Sequence, residues 1–581
     1  MAQLDTWANE LENVIRHAGQ DPERHLPYGI RDLQHLREEA EWVLNGIQQG
    51  FDIIKDPTPD IPPFQVRNYP LAFVHKDAIS ADIDKELSAG ILYESPTKPT
   101  WATALNAVDE GDKIRIIRDY SSPTNRAIND HTWNTDTWKL MNFNHAVELL
   151  RSRPNCYMAK VDISSAYRAI PVRPTHWEYL SFEWLGKFII DTRLPFGLSN
   201  APEIFVRITN LIRGMLAARG ILATVVYVDD FLIMGDTEEE CRAAWKVLIE
   251  LLTNLGFTVN LKPHKSIPPT TCITFLGIIL DSDVRKDGSG QMEARMGPER
   301  MAAAIETCRN IATKVFVPRK QFEQVIGTLS FIANTVYGAR PYLRRMISCL
   351  WATKSSMITI DKGTQLDLQF WIRFATTFNG KAIIMAKPVV PPHFFSVDAS
   401  TDGYMGKGGI GGFFNGKYFG YSIDKLISKG TPEHIKACNR KFFPNPLRPE
   451  TMHINYLELF VVWWAMVLFD QDWEGYHLTV HTDNNGALFM INKGTARAPH
   501  FMSILRAMTA RMALGGYRVQ ATRITTDENI LADPLSRGKW TEFHSELKNW
   551  ARDHPQGMVT EPMAKLSTSG HMTAFSFPSL P

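Results

Sequence analysis

Hydrophobic periodicity changes several times along this chain, and the changes divide it. Through residues 1–55 apolar positions recur at helical spacing, as in Leu33, Leu36, Ala40, Val43 and Leu44, among Glu, Arg and Gln, which predicts a helical N-terminal region. Pro57, Pro59, Pro62, Pro63 and Pro70 interrupt that pattern. They predict a stiff, extended lead into residues 56–155, where short β-like runs such as 113–120 alternate with turns. Residues 156–290 read as strand, helix, paired strands, helix and strand, with 238–255 the clearest helix. Residues 291–387 are mainly helical, with basic groups at Arg319, Lys320, Arg344 and Arg345. A second α/β pattern covers 388–540 after Pro388-Val389-Val390-Pro391-Pro392, and 541–581 reads as a loose tail.

The polar residues that break the apolar runs carry the chemistry. Tyr227-Val228-Asp229-Asp230 lies between the β-forming runs 221–226 and 231–234, which predicts a hairpin with two acids at its tip, although no Asn-Gly or Asp-Gly turn signal is present. Adjacent carboxylates repel, so the pair asks for a neutralising cation. Upstream, Lys160-Val161-Asp162 puts another acid at the end of a β-like run. Downstream, Phe394-Phe395-Ser396-Val397-Asp398 and His477-Leu478-Thr479-Val480-His481-Thr482-Asp483 repeat the device. Glu458 interrupts an otherwise apolar helix at 454–460, where an unpaired carboxylate is costly, and Asp533 follows in Leu531-Ala532-Asp533-Pro534.

Composition narrows the setting. At 581 residues the chain exceeds what one hydrophobic core organises, and 44% hydrophobic with 22% charged residues is a globular balance. The formal charge is +1, so contact with a polyanion would rest on local basic surfaces. Cys156, Cys241, Cys272, Cys308, Cys349 and Cys438 show no C-x-x-C spacing, hence no zinc site and no disulfide framework, and an intracellular setting is expected. Met1-Ala2-Gln3-Leu4-Asp5 lacks the features of a secretory signal. The longest apolar stretch, 454–469, falls short of the roughly 20 residues that span a bilayer, so no membrane association is expected.

Asp162, Asp229 and Asp230 together suit phosphoryl transfer. Two divalent cations held by carboxylates stabilise the attacking and leaving oxygens of an in-line displacement, and Mg²⁺ takes such ligands, with Mn²⁺ as a substitute. Asp162 and Asp229 are expected to be principal ligands, with Asp230 tuning the field or holding a water. Tyr167, five residues past Asp162, is placed to lie under the sugar of an incoming nucleotide and to exclude a 2′-hydroxyl.

Leu194-Pro195-Phe196-Gly197-Leu198-Ser199-Asn200-Ala201-Pro202, Tyr227-Val228-Asp229-Asp230 and Phe275-Leu276-Gly277 resemble, in order and spacing, the palm motifs of reverse transcriptases. The resemblance implies a multidomain α/β fold. A right-hand polymerase would have fingers (56–155), a ferredoxin-like palm (156–290) and a helical thumb and connection (291–387), followed by a ribonuclease H-like α/β domain. It implies that Phe196 and Gly197 pack beside the template and the incoming nucleotide. Arg115, with Lys113, would contact the triphosphate, and either Lys262 or Lys265 would stand near the leaving pyrophosphate. In the thumb and connection, Arg340, Arg344 and Arg345 would grip duplex phosphates.

Asp398, Glu458, Asp483 and Asp533 resemble the four metal-binding acids of ribonuclease H, which cleaves the RNA strand of an RNA–DNA hybrid. Many members of that family carry a histidine before the fourth acid. Here the stretch is Thr525-Thr526-Asp527-Glu528-Asn529, which implies slower cleavage or another group, while His481 and His500 are expected to be structural. The pairing of Met452–Leu459 with 532–537 looks most like DIRS-type retrotransposon enzymes, with viral and long-terminal-repeat enzymes as neighbours. The implied partners are an RNA template, a DNA primer, the RNA–DNA hybrid and deoxynucleoside triphosphates. The alternative is a catalytically inactive nucleic-acid-binding scaffold that keeps both folds.

Overall fold

The helical spacing at the start of the chain is realised as α1 (Ala2–Gln20) and α2 (Leu33–Gln49), whose stripes Trp7, Leu11, Val14 and Leu36, Ala40, Val43 are buried. Asp32 caps α2 by accepting from the His35 N–H at 2.8 Å. The computed structural model describes residues 2–56, 60–109, 114–135, 138–284, 292–336, 338–380, 384, 394–423, 453–474 and 476–553. They fall into two units, Met1–Phe275 and Leu276–Pro581.

In the first unit α3 (Lys76–Ser88) and β1 (Leu92–Ser95) precede an antiparallel pair, β2 (Ala104–Asp109) with β3 (Ile114–Asp119). After β4 (Tyr157–Asp162) come β5 (Phe182–Trp184), β6 (Lys187–Asp191), α4 (Ala201–Ala217), β7 (Thr224–Tyr227), β8 (Asp230–Gly235), α5 (Glu238–Asn254) and β9 (Ile267–Thr270). The central sheet runs β9-β4-β8-β7 with every neighbour antiparallel, and β1-β6-β5 form a separate three-stranded sheet. Helix α4 is apolar on nearly every face because it is sandwiched, meeting β7 on one side and α1 and α2 on the other. The N-terminal helices therefore share a core with the central sheet, in which Trp7, Leu36, Val161, Phe205, Phe231 and Leu252 are buried.

In the second unit α6 (Pro298–Ala312), α7 (Arg319–Ile332), α8 (Arg344–Ala352) and α9 (Lys362–Phe378) give the helical stretch read from the pattern. The second α/β pattern follows as β10 (Phe395–Ser400), β11 (Gly409–Phe414), β12 (Lys417–Ser422), α10 (Ile454–Phe469), β13 (His477–Thr482), α11 (Asn485–Lys493), α12 (Pro499–Gly515), β14 (Arg518–Arg523) and α13 (Ala532–Arg537). Its sheet order is β12-β11-β10-β13-β14; the first three strands are antiparallel, and β13 runs parallel to both β10 and β14. Residues 388–392, the proline break, lie outside the described residues.

The first part of the expected loose tail is helical. α14 (Trp540–Asp553) buries Phe543, Leu547 and Trp550 against Phe413, Tyr418, Leu531 and Leu535. The spacing Phe543, Leu547, Trp550 is one helical face, and burying three large side chains outweighs the ordering entropy of a short segment.

Candidate functional site

Register places the first acid set. Asp162 ends β4 and sits directly opposite Asp230, the first residue of β8, while Asp230 also pairs with Tyr227 across the β7–β8 turn. Directly opposed residues share a face of the sheet, so Asp162 and Asp230 emerge side by side. The two-residue turn Val228-Asp229 holds Val228 at φ +54°, a left-handed conformation that is strained for a β-branched residue, and the Asp229 carbonyl accepts the Ile163 N–H at 3.2 Å. That bond ties the hairpin tip to the strand carrying Asp162.

Cations of the chain itself stand on these acids. Lys265 Nζ is 3.2 Å from Asp162 Oδ1 and Asn260 Nδ2 donates to Asp162 Oδ2 at 3.1 Å. Lys160, two residues before Asp162 and on the same strand face, places Nζ 3.0 Å from Asp230 Oδ1. Among the described residues Asp229 has no comparable cation. Burial, then Asp230 and Asp162, push its carboxyl up to about 6 against the pull of Lys265.

The ring of Tyr167 lies 5.1 Å from that of Phe196 and 5.5 Å from that of Phe205. Burial, with Asp229 and Tyr227 nearby, raises its phenol to about 12. Phe196 is about half exposed, and Gly197, at φ +102°, lets the turn approach β3 so closely that a methyl there would overlap the Arg118 carbonyl. Arg115 is an exposed residue of β3. Lys113 lies outside the described residues. Lys262 is exposed, whereas Lys265 reaches the acids.

In the second unit Asp398, Glu458 and Asp483 each offer a carboxylate oxygen within 4.8 Å of the others. Among the described residues they are the compact acidic cluster of this kind; the Asp162, Asp229 and Asp230 carboxylates are adjacent but less tightly gathered. Asp398 lies inside β10 and does not end it, Glu458 sits in α10, and Asp483 follows β13. Burial, together with Asp483 and Asp533, raises Asp398 to about 7, although Ser536 donates to it. Burial, then Asp398 and Asp483, lift Glu458 well above the usual carboxylate range. Glu458 Oε1 accepts the Ala399 N–H at 3.3 Å, while its Oε2 is buried with no hydrogen-bond partner among the described residues.

Asp533, expected as the fourth member, is held by Arg537, whose Nε is 2.8 Å from Oδ1 and whose Nη1 is 3.1 Å from Asp402. Its helix α13 reaches the cluster because β11 is paved with glycine. A Cβ on Gly411 would meet Leu535 Cβ at 2.6 Å and Ala532 O at 2.7 Å, so only a bare backbone admits α13 there. Where a histidine was lacking, Thr526 donates to Asp483 Oδ2 at 2.8 Å. His481 is structural, with Nδ1 3.1 Å from the Phe395 carbonyl and its ring stacked on Phe394. The side chain of His500 lies outside the described residues. Arg345, read as a phosphate contact, is engaged within the unit by the Gly363 carbonyl at 2.8 Å and by Asp367.

Reading the sequence missed Asn260, Lys160, Ser536, Thr526 and Arg537. Lys160 left a signal, a lone cation inside an apolar strand two positions from Asp162. Arg537 stands one helical turn past Asp533, a spacing that was legible, whereas Asn260, Ser536 and Thr526 contact acids distant in the chain and left none.

Residues 109–280 match the family model described as "Reverse transcriptase (RNA-dependent DNA polymerase)". The chain is 26% identical over 241 residues to the Gag-Pol polyprotein of avian reticuloendotheliosis virus, covering 40% of this chain and 20% of that protein. It is 22% identical over 559 residues to the retrovirus-related Pol polyprotein from transposon 297 of Drosophila melanogaster, covering 91% of this chain and 46% of that one. The chain thus spans less than half the length of these relatives. It is also similar to the foamy viral protease-reverse transcriptase solved in complex with an RNA/DNA hybrid (17% identity, 84% of this chain, 61% of that chain, TM-score 0.48). The chain carries a reverse transcriptase domain at residues 109–280 and has homologues among retroviral and retrotransposon Pol polyproteins.

Proposed function

We propose that this protein copies RNA into DNA from a DNA primer, using deoxynucleoside triphosphates, and hydrolyses the RNA strand of the resulting hybrid. The observation that carries the first activity is the opposition of Asp162 and Asp230 beside Asp229 within the reverse transcriptase domain. The second is supported by the cluster of Asp398, Glu458 and Asp483 on a sheet ordered β12-β11-β10-β13-β14. In this reading fingers, palm, and thumb with connection occupy 56–155, 156–290 and 291–387. The hydrolytic domain occupies 388–540, now extended through α14. The motifs around Glu458 and Asp533 favour a DIRS-type element, and the scattered cysteines fit a reducing, intracellular site of action.

The donors are carboxylate oxygens, which suit a hard divalent cation such as Mg²⁺, with Mn²⁺ as substitute. Asp162, Asp229 and Asp230 would hold it in one site, and Asp398, Glu458 and Asp483, with Asp533, in the other. Bound there, such cations neutralise charge on the phosphoryl group and on the attacking and leaving oxygens. The chain's residues do the rest. Tyr167, braced by Phe196 and Phe205, excludes a 2′-hydroxyl; Gly197 brings Phe196 to the template; Arg115, and Lys113 with it, receive the triphosphate; Lys265 offers a proton donor to the leaving group.

Primer extension and hybrid cleavage by the purified chain test the proposal. Asp229→Asn should abolish extension and spare cleavage, Asp398→Asn should do the reverse, and Tyr167→Ala should admit ribonucleotides. A chain that binds hybrid but neither extends nor cleaves it would be the inactive scaffold instead. Full extension by the Asp229→Asn protein would end the polymerase reading.

A further inference from the structure

Four charged side chains, none assigned to the chemistry above, meet beside the turn that carries Tyr167. Arg168, next in sequence to Tyr167, places Nε 2.8 Å from Glu86 Oε1 and Nη2 2.8 Å from Glu86 Oε2, a two-pronged contact, while its Nη1 is 2.7 Å from Asp191 Oδ2. Arg118 completes the square. Its Nη2 is 3.2 Å from Glu86 Oε2, its Nη1 pairs with Asp191, and its guanidinium lies 4.8 Å from the centre of the Phe182 ring. The side chain of Asp191 is fully buried, and those of Arg168, Arg118 and Glu86 are 9%, 10% and 15% exposed.

We propose that Glu86, Arg118, Arg168 and Asp191 form a positioning network that sets how well the pocket binds deoxynucleotides and rejects ribonucleotides. The proposal rests on the polymerase reading. Each member belongs to a different element: Glu86 to α3, Arg118 to β3, Arg168 to the turn that carries Tyr167, and Asp191 to the end of β6. β3 also bears Arg115. Asp191 Oδ1 accepts the Arg193 N–H at 2.9 Å, and Arg168 Nη1 lies 3.4 Å from the Arg193 and Leu194 carbonyls, so the chain leading into Pro195-Phe196-Gly197 is anchored to the same charges.

Gly197 in turn rests against the Arg118 carbonyl. Two cations and two anions balance, which is the condition for keeping charge buried, and forked guanidinium–carboxylate contacts fix angle as well as distance. Apolar packing alone would let Tyr167 and Phe196 slide. A gate that acts by collision with one hydroxyl cannot tolerate that.

The test is steady-state primer extension by the full-length chain with deoxy- and ribonucleoside triphosphates, comparing wild type with Glu86→Gln, Asp191→Asn and Arg168→Lys. Glu86→Gln is expected to raise the deoxynucleotide KM about tenfold and to relax sugar discrimination about tenfold, with kcat changed by less than about threefold. Arg168→Lys, which keeps the charge but loses the fork, should move the same two quantities. Folded variants with wild-type KM and discrimination overturn the proposal, as does a loss confined to kcat. Where one substitution prevents folding, the other two decide. A wild-type chain that extends no primer removes the polymerase reading itself, an outcome distinct from unaltered variants of an active enzyme.

Discussion

Lys265 Nζ stands 3.2 Å from Asp162 Oδ1, although 103 residues separate them and Lys262 was an equal candidate by sequence. The contact arises because the strand-like segment after α5 runs beside β4: Ser164 N donates to Thr258 O, and Asn260 N to Asp162 O. Lys265 thereby sits at the acids while the Lys262 side chain is exposed.

Replacing Lys265 by Met is therefore expected to lower kcat for primer extension by roughly tenfold or more, the scale of a lost proton donor, whereas Lys262→Met should change it less than about twofold. Single-turnover extension with each variant checks this. Equal effects of the two substitutions would reject the assignment.

The raised carboxyl of Asp229 makes a stability prediction. Its folded value of about 6 exceeds the ordinary 3.8, so the folded state holds a proton that the unfolded chain has released. The group thus disfavours folding as pH rises from about 4 through about 6, by up to about 3 kcal/mol, given about 1.4 kcal/mol per pH unit. Asp229→Asn should stabilise the cation-free protein at pH 7.5, and the gain should vanish near pH 4. Chemical denaturation at the two pH values measures it; a gain equal at both would refute the cause.

Gly411→Ala tests how α13 reaches β11. The added methyl would meet Leu535 and Ala532 at 2.6 and 2.7 Å, so a loss of about 1–3 kcal/mol is expected from overpacking. Because α13 carries Asp533 and Ser536, hybrid cleavage should fall by at least about tenfold, the rate cost of roughly 1.4 kcal/mol, while primer extension persists. Parallel cleavage and extension assays distinguish this from general unfolding.

Arg537 Nε pairs with Asp533 Oδ1 at 2.8 Å. Arg537→Gln should therefore raise the Mn²⁺-dependent gain in Tm, because a freed carboxylate joins a cluster already short of positive charge. Thermal melts across a Mn²⁺ titration provide the readout, and an unchanged midpoint would argue that Asp533 stands apart from the cluster.

Much of the site was legible because its signals are local. Asp229 and Asp230 stand out as polar residues between β-forming runs, and Glu458 as a charge in an apolar helix; each violates its own segment's pattern. Less was legible where partners come from elsewhere. Ser536 acts on Asp398 across 138 residues and Asn260 on Asp162 across 98, and neither breaks any local pattern. The helix 540–553 was readable from its Phe543, Leu547 and Trp550 spacing but was obscured by the Ser- and Gly-rich residues that follow it.

By itself the sequence determined which segments are strands and helices and which acids interrupt them, because periodicity, propensity and the cost of burying charge act over a few residues. Tertiary structure alone decided that Lys265 and not Lys262 meets Asp162, that Ser536 meets Asp398, and that Glu86 joins Arg168. Those choices depend on ångström-scale distances between groups far apart in the chain. Packing of strands and helices sets such distances, and composition or spacing does not encode them.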